Sequence, residues 1–347
     1  VGALALGACG KKGPPVAPEL RVPLGPTGLR GAVDEQSIVL TWTGPRARVD
    51  GTRLRSVAVY KLYRREEAPN GPVKSAMLSS GRVVGYDEIA SIRTGAPAPA
   101  TVQGGVVTWI DRRALVFDRR YAYVVTAEDA LGRTSGPSER LVVPYVAAPR
   151  APRALSAAPG DGRVSLTWQP PTELLDGSPP PGEVRYLVLR GVGTEGPLSP
   201  ITPEPVTGMS YTDEGAQNDV DYRYAVRAVR VEATVTASGE TSAAVAAAPA
   251  DTTPPAAPTA LLALPSPGAV RLAWNPSGSP DVAVYAVYRA TAAGDFMRIA
   301  TTRSVATVYL DRDVETGTTY RYAITALDRA RRPNESMYSN VVSVRVP

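Results

Sequence analysis

Histidine is absent from this chain of 347 residues, and cysteine occurs once. Without imidazole there is no Ser–His or Cys–His nucleophile, no neutral-pH proton shuttle and no histidine metal ligand. A lone cysteine excludes an internal disulfide, an iron–sulfur cluster and a thiolate zinc site. Phenylalanine is scarce (2), and no apolar run approaches the roughly 20 residues of a membrane-spanning helix. Proline (34), glycine (31) and tyrosine (16) are plentiful, with 44% hydrophobic and 20% charged residues. That balance favours short strands and many turns over long helices, with enough apolar side chains to fill cores. At about 150 residues per domain, the length predicts two or three of them.

The chain opens on small and apolar residues, Val1 to Ala8, that lead into Cys9. Leu6-Gly7-Ala8-Cys9 resembles the lipobox of bacterial lipoproteins. The resemblance implies that residues 1–8 are the remnant of a signal peptide and that Cys9 is acylated. Residues 9–23, rich in Pro, Gly and Lys, then read as a flexible tether. Each buried methylene of such an anchor contributes about 0.8 kcal/mol. The expected address is the bacterial cell envelope. No acid directly follows Cys9, which by the enterobacterial pattern points to the outer membrane. Cys9-Gly-Lys-Lys-Gly-Pro-Pro15 is also similar to the Cys-Gly-x-Lys-Gly-Pro-Leu start of a short enterobacterial lipoprotein family. That family assists assembly of the lipopolysaccharide translocon, and here Pro15 stands in place of its Leu. The likeness implies a rival reading in which lipid and tether carry the function.

Self-comparison reveals a threefold repeat. Ser37-Ile-Val-Leu-Thr-Trp42, Arg163-Val-Ser-Leu-Thr-Trp168 and Ala269-Val-Arg-Leu-Ala-Trp274 each alternate apolar and polar residues and stop near proline. Each is followed by a second strand pattern, Val59 to Arg64, Arg185 to Arg190 and Val284 to Arg289. Next comes an aromatic two positions before an aspartate: Trp109/Asp111, Tyr211/Asp213 and Tyr309/Asp311. Last come Tyr121-Ala-Tyr123, Tyr222-Arg-Tyr224 and Tyr320-Arg-Tyr322, each continuing to an alanine, then a Ser-rich turn and a closing strand. Period-2 strands with closely spaced turns and no disulfide require two sheets that each bury one face. The Trp and the Tyr-x-Tyr-x-x-x-Ala patterns resemble the fibronectin type III domain in all three copies. The resemblance implies an all-β, tandem array of three immunoglobulin-like sandwiches at 24–146, 151–249 and 255–347. The proline-rich junctions predict semi-rigid spacers, a beaded rod, and early proteolysis near 147–149, 252–254 and 68–105.

The first unit holds an insertion at 65–108, within which Arg82 to Ile92 reads as an extra edge strand. An insertion on a sandwich is either a grafted functional element or a tolerated loop. The three repeated Trp read as core residues, and Asp111, Asp213 and Asp311 read as acceptors for turn amides rather than calcium ligands. The second Tyr of each pair is expected to form the corner hydrogen bond of the sandwich. Gly191-Val-Gly-Thr-Glu-Gly196 has a dinucleotide-binding spelling, but prolines follow where that site needs a helix. The acidic pairs Glu66-Glu67, Asp87-Glu88 and Asp219/Asp221 read as solvated turn carboxylates. Residues 24–146, 147–250 and 251–347 carry net charges of +5, −4 and +2. Arg64, Arg65, Arg112, Arg113, Arg119 and Arg120 lie in the first unit, either as a phosphate- or lipid-facing surface or as a mixed-charge surface. No catalytic site, metal, cofactor, small-molecule substrate or nucleic acid is expected. The expected partners are the membrane through Cys9, and an envelope protein or polysaccharide bound by a non-enzymatic adhesion, spacer or assembly module.

Overall fold

Strict alternation along each repeat leaves one face of every strand apolar, and two such faces close on each other. The computed structural model describes residues 17–68, 75–232 and 235–347; Cys9 and residues 10–16 of the tether lie outside them. Residues 17–23 are not a free tether, because Pro18–Arg21 forms a 3-10 turn and the Leu20 and Val22 carbonyls accept the Asp50 and Val49 amides at 2.8 and 3.0 Å. The first unit contains β1 (Thr27–Asp34), β2 (Ser37–Thr43), β3 (Val59–Glu67), β4 (Leu78–Ser79), β5 (Arg82–Val83), β6 (Asp87–Arg93), β7 (Thr101–Gln103), β8 (Val106–Asp111), β9 (Arg119–Glu128) and β10 (Leu141–Tyr145). The second contains β11 (Arg153–Pro159), β12 (Val164–Gln169), β13 (Arg185–Val192), β14 (Ser199–Pro200), β15 (Ser210–Asp213), β16 (Tyr222–Glu232), β17 (Val235–Thr241) and β18 (Val245–Ala247). The third contains β19 (Thr259–Ser266), β20 (Ala269–Asn275), β21 (Val282–Thr291), β22 (Met297–Arg303), β23 (Val308–Asp311), β24 (Thr319–Asp328) and β25 (Val342–Arg345).

Each unit packs two sheets face to face. The third shows the plan most plainly: β19-β20-β23 faces β22-β21-β24-β25. The counterparts are β11-β12-β15 facing β14-β13-β16 with β17 and β18, and β1-β2-β8-β7 facing β10-β9-β3-β6. All three are β-sandwiches with the strand layout of the fibronectin type III fold. Trp42, Trp168 and Trp274 are buried in the cores, each edge-on to a tyrosine of the facing sheet, at 5.8 Å from Tyr60, 5.3 Å from Tyr186 and 5.7 Å from Tyr285. The first strand of every unit breaks register at a left-handed residue, Gly28, Ala154 or Ala260. The serines of the last turn also have a common task. Ser138, Ser242 and Ser339 accept the amides of Val125, Val226 and Ile324, each at 3.0 Å, on the side of the strand away from β3, β13 and β21.

Two expectations are corrected here. The segment Arg82 to Ile92 is not one added strand, because Gly85 turns left-handed and cuts it into β5 and β6. β6 fills the edge position that β22 fills in the third unit. The β4–β5 hairpin instead folds over the outer face, where Val83 covers Tyr63 and Val124.

The first junction is also not a spacer between beads. Val146, Ala147 and Ala148 are buried, and the Ala148 carbonyl accepts the Leu175 amide at 2.9 Å. β16 runs on past Ala228 into a hairpin, and β17 lies parallel to β1 with Val33 opposite Ala237. That pairing joins sheets of the first and second units into one of nine strands. Val235 and Ala237 are buried in the first unit's core, and Arg227 forms an ion pair with Asp34. Early cleavage at 147–149 is therefore not expected. The second junction is polar by contrast: Thr253 donates to Asp161 at 2.5 Å and the Arg331 amide donates to Asp219 at 3.0 Å.

Candidate interaction surface

One end of every sandwich is closed by the same set of side chains. In the first unit Asp111, at the end of β8, accepts the Arg113 amide at 3.1 Å through Oδ1. Its Oδ2 accepts Arg64 Nη1 at 2.9 Å and the Tyr123 hydroxyl at 2.8 Å. Asp213 repeats this with the Gly215 amide (3.0 Å), Arg190 (2.8 Å) and Tyr224 (2.7 Å). Asp311 repeats it with the Asp313 amide (3.0 Å), Arg289 (3.0 Å) and Tyr322 (2.8 Å). Burial pushes the Tyr123, Tyr224 and Tyr322 hydroxyls far above the usual phenol range, and the adjacent carboxylate adds to it. They remain neutral donors. The aspartates do serve turn amides through one oxygen, and the guanidinium and phenol share the other.

The tyrosine corner belongs to the other member of each pair. Tyr121 accepts the Val116 amide at 2.9 Å, Tyr222 that of Gln217 at 3.1 Å and Tyr320 that of Glu315 at 3.2 Å. The second tyrosine points across the core to aspartate instead, which corrects the expectation from sequence. The arginine also covers the corner ring, at 5.1 Å for Arg64 on Tyr121, 5.3 Å for Arg190 on Tyr222 and 5.2 Å for Arg289 on Tyr320.

The six singled-out arginines sit at related positions of the first unit, but acids are threaded among them. Arg64 belongs to the Asp111 cluster, and Arg113 donates its guanidinium to the Ile89 carbonyl at 2.7 Å. Arg65 is paired with Glu67 at 2.8 Å, and Arg140 holds the same carboxylate. Burial pushes Glu67 up, but the two guanidiniums outweigh it and hold its carboxyl below the usual range. Glu67 is therefore buried and paired, not a solvated turn carboxylate. Arg119 reaches Glu66 at 3.5 Å, and Arg120 lies opposite Glu67 in the ladder. Arg112 lines a recess with Asp34, Glu35 and Glu240. A phosphate clamp needs open guanidinium forks. Carboxylates or carbonyls already engage Arg64, Arg65, Arg113 and Arg119, which favours the mixed-charge surface.

The remaining sequence motifs fall to packing. The indole N–H of each repeated Trp is buried without a hydrogen-bond partner, so packing alone holds the ring. Gly196 closes a turn after β13 so tight that an added Cβ would strike the Val192 carbonyl oxygen. Asp251, Asp281 and Asp328 each place one oxygen within 4.8 Å of the others. Both Asp328 oxygens are engaged, by the Ala330 and Asn334 amides and by the Asn334 side chain. The group braces a loop. Among the described residues, no helix is long and apolar enough to cross a membrane.

No family model matches the chain. It is similar to exoglucanase B of Cellulomonas fimi, with 27% identity over 345 residues covering 95% of this chain. The chain spans 26% of that protein's length. Among solved structures, the chicken CNTN1 FN1-FN3 domains align over 93% of this chain and 99% of that one, at 16% identity and a TM-score of 0.27.

Proposed function

We propose that this chain is a non-catalytic support and binding module, in an adhesion, spacer or assembly role, whose folded units carry the function. The observation that supports it is the threefold use of the same reactive residues as structural ties. Asp111, Asp213 and Asp311, buried carboxylates at the end of each sandwich, are each held by an arginine, a tyrosine and an amide. What remains for recognition is strand edges and the outer faces of sheets. The strand pairing between the first two units gives such a module a stiff base. Acylation at Cys9, with the chain held on the bacterial envelope and on the outer membrane in particular, belongs to the same proposal.

The rival is a function carried by residues 9–23. Grafting residues 24–347 onto an unrelated lipobox and linker separates the two. Restored function in a deletion strain is the expected result; rescue by a chain ending at residue 23 would overturn the reading. The similarity to an exoglucanase favours polysaccharide as the partner class over envelope protein. Co-sedimentation of the chain with insoluble β-glucan tests this choice. Protein left wholly in the supernatant, with crosslinks to an envelope protein, would reverse it.

A further inference from the structure

One sheet of each unit ends at the same edge, held by β6, β14 and β22. An open edge offers unpaired amides and carbonyls to any extended chain, so folds shorten it, charge it or place proline on it. β14 is two residues long, includes Pro200 and lies among Pro197, Pro203 and Pro205. β6 carries Asp87 and Glu88, and Arg113 takes its Ile89 carbonyl at 2.7 Å. β22 is neither short nor broken by proline, and its only charges are the basic Arg298 and Arg303. Met297-Arg-Ile-Ala-Thr-Thr-Arg303 is seven residues long, has no proline and no acid, and among the described residues pairs with β21 alone.

A bulge gives this edge a particular chemistry. Arg298 lies opposite Tyr288 and Arg303 opposite Val284, while Ile299 is the unmatched residue between Arg298 and Ala300. The bulge therefore turns both arginines to the outer face, on the side of Tyr288 and away from the buried Tyr285 and Val287. Both are exposed and form no ion pair among the described residues. Beside them Tyr338 packs against Tyr288 at 5.1 Å and Phe296 at 5.2 Å. Met297 is 73% exposed, and Met337, next to Tyr338, is 82% exposed. Aromatic residues, methionine and arginine are the types that interface centres concentrate.

We propose that β22 is a docking edge for an extended acidic polypeptide segment, which adds as a fifth strand to the β22-β21-β24-β25 sheet. The chain already uses this mode once, where β17 lies along β1 and Arg227 secures the end at Asp34. The two arginines set the partner's pattern. They stand four ladder positions apart on one face, so the segment carries acids at i and i+4 with apolar residues on its other face. A second copy of the chain fits poorly. Antiparallel self-pairing brings Arg298 against the Arg303 end, and parallel self-pairing in register opposes each arginine to itself.

The proposal adds a polypeptide partner, at a separate edge, to the polysaccharide proposed for the folded units, and so rests on those units being the binding part. Its test uses the full chain and two synthetic heptapeptides, Val-Asp-Val-Thr-Val-Asp-Val and its analogue with lysine at both aspartates. The acidic peptide is expected to slow amide exchange across 298–303 and to bind about tenfold more tightly than the basic one at low salt. The double variant R298E/R303E is expected to reverse that order. Three results would overturn the proposal: no added protection on β22, equal binding of the two peptides, or concentration-dependent dimers whose exchange protection falls on β22. Any of these would leave the outcome of grafting residues 24–347 unaffected, so the two readings fail separately.

Discussion

Gly239→Val attacks the seam between the first two units at its tightest point. A Cβ at this glycine would sit 2.8 Å from the Pro149 carbonyl carbon and closer still to its oxygen. Both are backbone atoms and cannot swing aside, so β17 must move away from the junction. The movement withdraws Val235 and Ala237 from the first unit's core and separates Val33 from Ala237 in the ladder. Re-exposing one buried valine costs about 1.5 to 3 kcal/mol. The alanine and the lost ladder hydrogen bonds add about 1 to 2 kcal/mol. The Arg227–Asp34 pair is partly exposed and adds little. A total of about 3 to 5 kcal/mol is a large part of a single domain's stability. Scanning calorimetry with hydrogen exchange reads the effect: the first two units should melt earlier, and the Glu35 amide, bonded to the Ser238 carbonyl at 2.8 Å, should lose protection. Gly278→Val is the control, since its Cβ would meet nothing within 4 Å. Unchanged melting and a still-protected Glu35 amide in the Gly239 variant would refute the reasoning.

Asp311→Ala removes the shared acceptor of Arg289, Tyr322 and the Asp313 amide, and should cost the third unit about 3 to 5 kcal/mol in denaturant titration while the others keep their midpoints. A loss below about 1 kcal/mol would show that the cluster is not a tie. Raising pH should destabilise all three units. The Tyr123, Tyr224 and Tyr322 hydroxyls are raised in the folded state, so their contribution is complete below an unfolded phenol's pKa of about 10 and declines as pH climbs above it. Tyrosinate absorbance from these three should appear only with unfolding; full titration of all 16 tyrosines with intact near-ultraviolet dichroism would contradict this. Ala260→Gly should stabilise the third unit by about 0.5 to 1 kcal/mol, because alanine holds a left-handed φ of 52° there; a lower melting temperature would count against the strain.

The repeat and its sandwich fold were legible because apolar residues recur at every second position and each copy repeats the same order of landmarks. Trp42, Trp168 and Trp274 end alternating runs, which places them inward without further information. The two tyrosines of each pair defeated that logic. Both face the core side, so period alone cannot say which hydroxyl meets the corner amide five residues earlier and which reaches across to aspartate. The seam between the first two units was hidden for a different reason. Its strand comes from a loop that is tight in the other units, where Asp129 and Asp328 accept the loop amides. The second unit has Arg230 there, donating to the Ala147 carbonyl at 3.2 Å, and the alternation continues through Val235-Thr-Ala237. That substitution was the available signal. The junction misled because Pro149 and Pro152 dominate its composition, whereas Val146, Ala147 and Ala148 decide its burial. The arginine pairs left two readings open, since sequence displays their charge and not the carboxylates folded against them.

The stiff base of the module is tested most directly by distances between spin labels on exposed sites of the first two units, Arg55 and Glu204, in the full chain. A paired β1 and β17 should give one narrow distance distribution that broadens in the Gly239→Val variant. A distribution already broad in the unaltered chain, as for beads on a flexible string, would contradict it.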